Sequence, residues 1–218
     1  MVAKATQNYL WHSWLKKTRT LYCSTFLCVF VPLCQKARAQ NNDISVLRKI
    51  HDPAPLNSDK FFKVTGQTVT PISVATPLSY FVFAAFDKTH PIKNSVMFQN
   101  GITSTMCIVG SGLLSYGLKY TIKRERPWVT YPDVVPKDSP HTWSFPSGHT
   151  TFAFATATSV ALIERKWYYT IPVYGWAFCV GYSRMHLGVH YPSDVIAGAV
   201  IGTGMSFAMY YLGQRIFR

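Results

Sequence analysis

Acidic residues are scarce in this chain. Nine of its 218 residues are Asp or Glu, against 22 Lys and Arg, so the formal net charge is +13. Charge of either sign is thin at 14%, where a soluble domain carries about 25%. So few carboxylates leave no cluster able to hold Mg²⁺. Cysteine is equally uninformative as a scaffold. Of the five, Cys23, Cys28 and Cys34 lie in the N-terminal segment, and Cys107 and Cys179 sit inside apolar runs without metal-ligand spacing. That excludes a disulfide framework and a zinc site, and leaves Cys107 and Cys179 as small packing residues. A strongly basic chain suggests nucleic acid or an anionic surface. Here, however, the cations gather in the N-terminal segment, between Lys119 and Arg126, and in short stretches between apolar runs. Such islands suit a membrane protein with an anion site rather than a basic groove for DNA.

What the chain has is a succession of long uncharged runs. Val64 to Phe86, Asn94 to Leu118, Thr142 to Ile163, Trp167 to Ser183 and Val195 to Gln214 contain no Lys, Arg, Asp or Glu. Each is about as long as the roughly 17–25 residues a spanning helix needs, and a charge at a helix centre costs about 2.5–3.5 kcal/mol on insertion. The runs predict an all-α, multi-span transmembrane helical bundle of five or six spans. Gly198 and Gly202 form a small-xxx-small pair suited to close helix approach. Pro71 and Pro77 are expected to kink the first of the five spans.

The N-terminus reads as an export signal or a first transmembrane helix over residues 1–39. Lys16, Lys17 and Arg19 precede a short apolar core from Leu21 to Leu33, and Ala37-Arg38-Ala39 supplies small residues for cleavage before Gln40. Cleavage is the preferred reading, because the apolar core is short for a span. Residues 40–218 then form one domain.

Three clusters lie at the ends of the apolar runs. Lys119 and Arg126-Pro127 follow the second. Pro146-Ser147-Gly148-His149 stands near the start of the third. Ser183-Arg184 closes the fourth, and His190 and Asp194 lead into the fifth. In an up-down bundle the ends of runs two and four share a membrane face with the starts of three and five, so all three clusters meet. Their residue types suit phosphoryl transfer. Lys119, Arg126 and Arg184 can surround a phosphate dianion. Ser147 caps a helix start whose free N–H groups add anion affinity. Asp194 can orient one nitrogen of His190 and leave the other to attack, and His149 remains to protonate the leaving alkoxide. The cations replace the charge stabilisation that a metal supplies elsewhere.

The pattern Lys-x6-Arg-Pro, Pro-Ser-Gly-His, Ser-Arg-x5-His-x3-Asp resembles the type 2 phosphatidic acid phosphatase family, whose site is shared with vanadium haloperoxidases and class A acid phosphatases. Every motif position is filled. The resemblance implies a helical bundle and a phosphohistidine mechanism. In it His190 is the nucleophile, Asp194 its orienting partner and His149 the acid and then the base. Lys119, Arg126, Ser147, Gly148 and Arg184 hold the phosphate, with no metal and no cofactor. The expected substrate is a lipid phosphate or pyrophosphate. The expected place is the bacterial inner membrane, with the active site on the periplasmic side. A soluble, broad-specificity periplasmic acid phosphatase is the alternative. A non-catalytic or vanadate-dependent relative stands third.

Other conspicuous residues carry duller expectations. Lys123 and Arg124 read as an ordinary basic interfacial flank, and His141 and His186 as solvated or structural histidines. Trp128, Tyr131 and Trp143 suit a membrane interface, and Tyr168, Tyr169 and Trp176 packing or an aromatic belt.

Overall fold

The computed structural model describes residues 38–86 and 95–217. Contacts within the chain set Asp43–Arg218 apart as a compact unit, to which the helical bundle and its cavity belong. The expected export signal falls outside the described residues except for Arg38 and Ala39.

The described residues are helical, without a strand. In chain order they form α1 (Arg38–Ile50), α2 (Asp59–Gln67), α3 (Val69–Phe86), α4 (Val96–Ile122), the single turn α5 (Pro127–Thr130), α6 (Gly148–Glu164), α7 (Trp167–His186) and α8 (Pro192–Ile216). Among the described residues three stretches are long and apolar enough to cross a membrane: Asp59–Phe86, Val96–Thr130 and Pro192–Ile216. At 1.5 Å per residue the 27-residue α4 is about 40 Å long, ample for a hydrocarbon core. The chain is a multi-pass membrane bundle, as the uncharged runs predict.

α6 is its axis. Thr150, Thr151 and the whole stretch from Ala153 to Ser159 are buried, because α3, α4, α7 and α8 all pack on this helix. A helix enclosed by others needs small side chains more than apolar ones, which explains its Ala- and Thr-rich sequence. Hydroxyls join the layers: Ser73 to Thr156 at 2.9 Å, Ser104 to Ser159 at 3.2 Å, and Ser206 donating to the Ala155 carbonyl at 3.2 Å. Interhelical hydrogen bonds of this kind hold helices together where lipid offers no hydrophobic drive. Many large apolar residues face outward, among them Val74, Leu78, Phe83, Leu113, Phe178 and Ile196. Cys107 is buried, as expected, but Cys179 is exposed on the outer face of α7.

Two element boundaries depart from the uncharged runs. The first run extends back to Asp59 and is broken at Thr68, whose hydroxyl accepts from Trp176 Nε1 at 2.9 Å. Pro71 falls in the first turn after the break, where a missing N–H costs nothing, and Pro77 alone lies within the helix. The third run begins as a loop, because the carbonyls of Thr142 and Trp143 bind cationic side chains rather than a following helical turn. α6 starts only at Gly148.

At the end of the bundle remote from the motifs, Tyr80 donates to Glu164 at 2.7 Å and Arg165 to the Tyr210 hydroxyl at 2.6 Å. Trp167, Tyr168 and Tyr169 are exposed beside them, in the manner of an interfacial belt.

Gly198 and Gly202 seat α8 on α6. A Cβ on Gly198 would lie 2.7 Å from the Ser147 carbonyl oxygen, and one on Gly202 would lie 2.9 Å from the Ala155 amide nitrogen. Gly202→Ala is therefore expected to cost about 1–3 kcal/mol. Gly175→Ala, where a Cβ meets nothing within 4 Å, should be neutral or stabilising by up to about 1 kcal/mol. Thermal unfolding of both variants in detergent checks the contrast.

Candidate active site

α4 ends where Lys123 adopts a left-handed conformation, φ 50°, with its N–H bonded to the Lys119 carbonyl. The last turn thus carries Lys119, which is 4% exposed and donates to the Trp143 carbonyl at 2.6 Å. Arg126 follows in extended backbone, with Pro127 starting α5. Its guanidinium donates to the Thr142 carbonyl at 2.6 Å and the Val189 carbonyl at 2.7 Å. Carbonyl dipoles fix these cations in place without cancelling their charge, so the positive potential remains available to an anion.

α7 stops in a Schellman turn: Gly188 N–H bonds the Met185 carbonyl at 2.9 Å and Val189 N–H the Arg184 carbonyl at 3.1 Å. Gly188 sits at φ +69°, a conformation that favours glycine. The turn aims the chain so that the Val189 carbonyl meets Arg126 and His190 follows at once. Tyr191 and Pro192 then start α8, and Asp194 closes a capping box by accepting from Tyr191 N–H at 3.1 Å.

His190 is 3% exposed. Its Nδ1 lies 3.5 Å from Asp194 Oδ2, and its Nε2 lies 3.4 Å from Arg126 Nη1. A guanidinium only donates, so this geometry puts the imidazole proton on Nδ1 and leaves Nε2 with a lone pair. Burial pushes the imidazole pKa down to about 3, against the pull of Asp194. His190 is therefore neutral at ordinary pH.

Arg184 lies on the far side. It donates to Asp138 at 3.2 Å and to the Phe62 carbonyl at 3.4 Å, and its guanidinium rests on the backbone of Gly66, where any Cβ would collide with it. Lys119, Arg126, Arg184, Gly148, His149 and His190 together line one cavity of about 180 Å³. Val69, Tyr116 and Phe152 form an apolar side of the same cavity.

Most of the motif residues thus meet in one space. Asp194 lies behind His190, fully buried. Ser147 is also fully buried at the N-cap of α6, and its Oγ accepts from Thr150 Oγ1 at 3.0 Å; it supports the cavity wall rather than lining it. His141 is exposed, as a solvated histidine should be. His186 is buried and structural, 2.8 Å from Asp59, which also pairs with Lys137.

Arg124 is a correction. Instead of forming a solvated flank beside the exposed Lys123, it turns inward to Asp194 Oδ1 at 2.7 Å and to Asp43 at 2.8 Å, with its guanidinium 3.9 Å above the Tyr191 ring. The unanswered charge of buried Asp194 draws it in. Ser144 was also missed; it donates to Asp194 Oδ2 at 2.5 Å. The scarcity of acids is the signal that could have found Asp43 and Asp138, since in so basic a chain each carboxylate has cations to serve. No such signal marks Gly66 or Ser144. Among the described residues no three His, Cys, Asp or Glu side chains assemble as metal ligands.

Fold and cavity define a class of protein: a helical membrane bundle that gathers three cations and two imidazoles at one end. Residues 100–218 match the model of the PAP2 superfamily, and the chain belongs to that family. It is 34% identical over 108 residues to an undecaprenyl-diphosphatase of Sulfolobus acidocaldarius, covering 49% of this chain and 52% of that protein. It is 35% identical over 74 residues to a lipid A 4'-phosphatase of Bacteroides thetaiotaomicron, covering 34% and 33%. The chain thus spans about half the length of the first relative and a third of the second. Among solved structures it resembles a transmembrane PAP2 type phosphatidylglycerolphosphate phosphatase of Bacillus subtilis, with TM-score 0.70, 21% identity and coverage of 88% and 96%. It also resembles Aquifex aeolicus LpxE, with TM-score 0.63, 25% identity and coverage of 78% and 94%.

The cavity should bind inorganic phosphate. Arg126→Gln is expected to weaken that binding about tenfold or more, the worth of a charged hydrogen bond. Gly66→Ala should weaken it too, by displacing Arg184, although Gly66 does not line the cavity. Calorimetric titration of purified protein in detergent measures both.

Proposed function

We propose that this protein is a membrane phosphatase that hydrolyses a lipid phosphate or pyrophosphate through a phosphohistidine intermediate without a metal. The observation that carries the reading is the cavity that Lys119, Arg126, Arg184 and His190 line together, with His190 Nε2 3.4 Å from Arg126 Nη1. The cations and the first-turn N–H groups at Gly148 hold the phosphate, with Ser147 bracing that turn. His190 Nε2 attacks phosphorus, forming a P–N bond as the P–O bond to the lipid alcohol or phosphate breaks. The leaving oxygen takes a proton from His149, whose proton affinity rises beside the bound dianion. Asp194 stabilises the positive charge that develops on His190, and its long contact suits an empty site that tightens in the complex. His149 then removes a proton from water, which attacks phosphorus, breaks the P–N bond and releases phosphate and neutral His190. The cations meet the charge of the transition state, the part played by Mg²⁺ in other phosphoryl transfers.

The apolar cavity side of Val69, Tyr116 and Phe152 suits a substrate with a tail, and the named relatives act on undecaprenyl diphosphate or lipid A. Outward-facing apolar residues argue against the soluble acid phosphatase. The proposed place is a bacterial inner membrane with the cavity on the periplasmic side. The loop Glu164–Lys166 then lies in the cytoplasm.

His190→Ala should abolish turnover, and His149→Ala should lower kcat by about 10²–10⁴-fold. Activity of the wild type in EDTA against phosphatidic acid, phosphatidylglycerol phosphate, a polyprenyl pyrophosphate and lipid A tests metal independence and ranks substrates. Full activity of His190→Ala would refute the mechanism. For orientation, a cysteine at Asp138 should react with an impermeant periplasmic reagent and one at Arg165 should not; the reverse result inverts the topology.

A further inference from the structure

Asp194 is fully buried, yet both of its oxygens are engaged. Oδ2 serves His190, Ser144 and the Tyr191 N–H. Oδ1 is held by Arg124, at 2.7 Å. The same Nη1 of Arg124 donates to Ser193 Oγ at 2.7 Å, while its Nη2 reaches across to Asp43. Asp43 then closes the ring: one oxygen accepts from Ser193 N–H at 3.1 Å and the other from Ser193 Oγ. The guanidinium is clamped from above by the Tyr191 ring. Arg124 therefore has one geometry available, and a carboxylate on α1 fixes it.

That carboxylate lies well outside residues 100–218, the stretch that matches the family. Ile44 and Leu47 anchor this part of α1 by packing with Val134 and Tyr191, so Asp43 is presented on a fixed scaffold and not on a loose strand.

We infer that Asp43 is a positioning residue for the reaction: through Arg124 it sets the direction of the Asp194 carboxylate and so the aim of His190. The inference rests on the functional reading above. Without the Asp43 anchor, the Arg124 fork is free to rotate with Ser193. Asp194 Oδ1 loses its fixed donor, so the carboxylate can turn away from His190 Nδ1 and the imidazole is held less firmly in line, while Arg126 still keeps Nε2 as the acceptor. Partners one layer behind a metal-bound imidazole, when removed, lower activity by about 10–100-fold, and a loss on that scale is expected behind the reacting imidazole of His190. The substrate's own contacts to Lys119, Arg126 and Arg184 do not pass through this ring, so the defect belongs in kcat and not in KM.

The test uses the purified full chain in detergent, with dioctanoyl phosphatidic acid and farnesyl diphosphate as substrates, and ¹⁵N NMR of the labelled imidazoles. Asp43→Asn and Arg124→Lys should each lower kcat about tenfold or more with KM within about twofold. Asp43→Glu should recover much of the loss. The double variant Asp43→Asn/Arg124→Lys should be no worse than Arg124→Lys alone, because the two act as one unit. In the NMR spectrum wild-type His190 should show the Nδ1–H tautomer, and Asp43→Asn the same tautomer with its Nδ1–H proton shifted upfield as the hydrogen bond to Asp194 weakens; this readout needs no turnover. A change in melting temperature with unchanged kcat and an unchanged Nδ1–H shift would reduce Asp43 to a structural brace and overturn the inference. His190→Ala separates the two layers. If it stays active, the functional reading fails; if it is dead while Asp43→Asn matches wild type in kcat and Nδ1–H shift, only this inference fails.

Discussion

A charged carboxylate with no solvent exposure has to be answered by donors from its surroundings, and Asp194 is such a group. Its donors come from four places in the chain: Arg124 after α4, Ser144 in the loop before α6, His190 after α7, and the Tyr191 backbone at the start of α8. Ser147 N–H also bonds the Asp194 carbonyl, at 3.0 Å. Satisfying this one residue therefore ties every element of the site to every other. It also accounts for the order of the helices, since only an up-down bundle brings those particular ends together.

The cations follow a different rule. Lys119 and Arg126 are nearly as buried as Asp194 but are held by carbonyl oxygens. A dipole fixes a side chain in place and leaves its charge largely uncompensated. The same molecule thus contains a saturated carboxylate and two cations kept hungry for an anion, side by side at one end of the bundle. Burial of an unpaired cation is costly, and the tight α6–α8 packing at Gly198 and Gly202 supplies the rigid frame that tolerates it. Stability at the bundle axis and tension at its end belong to one design.

Much of this was legible in the residues alone. The uncharged runs predict the long helices, and three described stretches meet the length and apolarity of spans. The motif residues fall at the helix ends that an antiparallel order brings together. Boundaries were less legible. The first run opens at Val64, whereas its helix reaches back to Asp59 and breaks at Thr68; the third run opens at Thr142, but Ser147 marks its helix start and α6 does begin at Gly148. What the sequence did not show is that the carbonyls of Thr142 and Trp143, ahead of that start, bind Arg126 and Lys119. Arg124 was misread for a related reason: in a linear sequence it is one cation among several, and a flank is the commonest fate of such a group.

By itself the sequence determined the class of fold, the membrane setting and the residue types that gather at one end, because hydropathy and helix length are properties of consecutive residues. Tertiary structure decided which cation meets a carboxylate and which meets a carbonyl. It also decided which imidazole nitrogen is left bare, and that Asp43 and Gly66 reach a site whose motifs lie far along the chain. Those outcomes depend on distances of a few ångströms between side chains from separate helices, and electrostatic pairing at that range is set by packing, which no one-dimensional pattern contains.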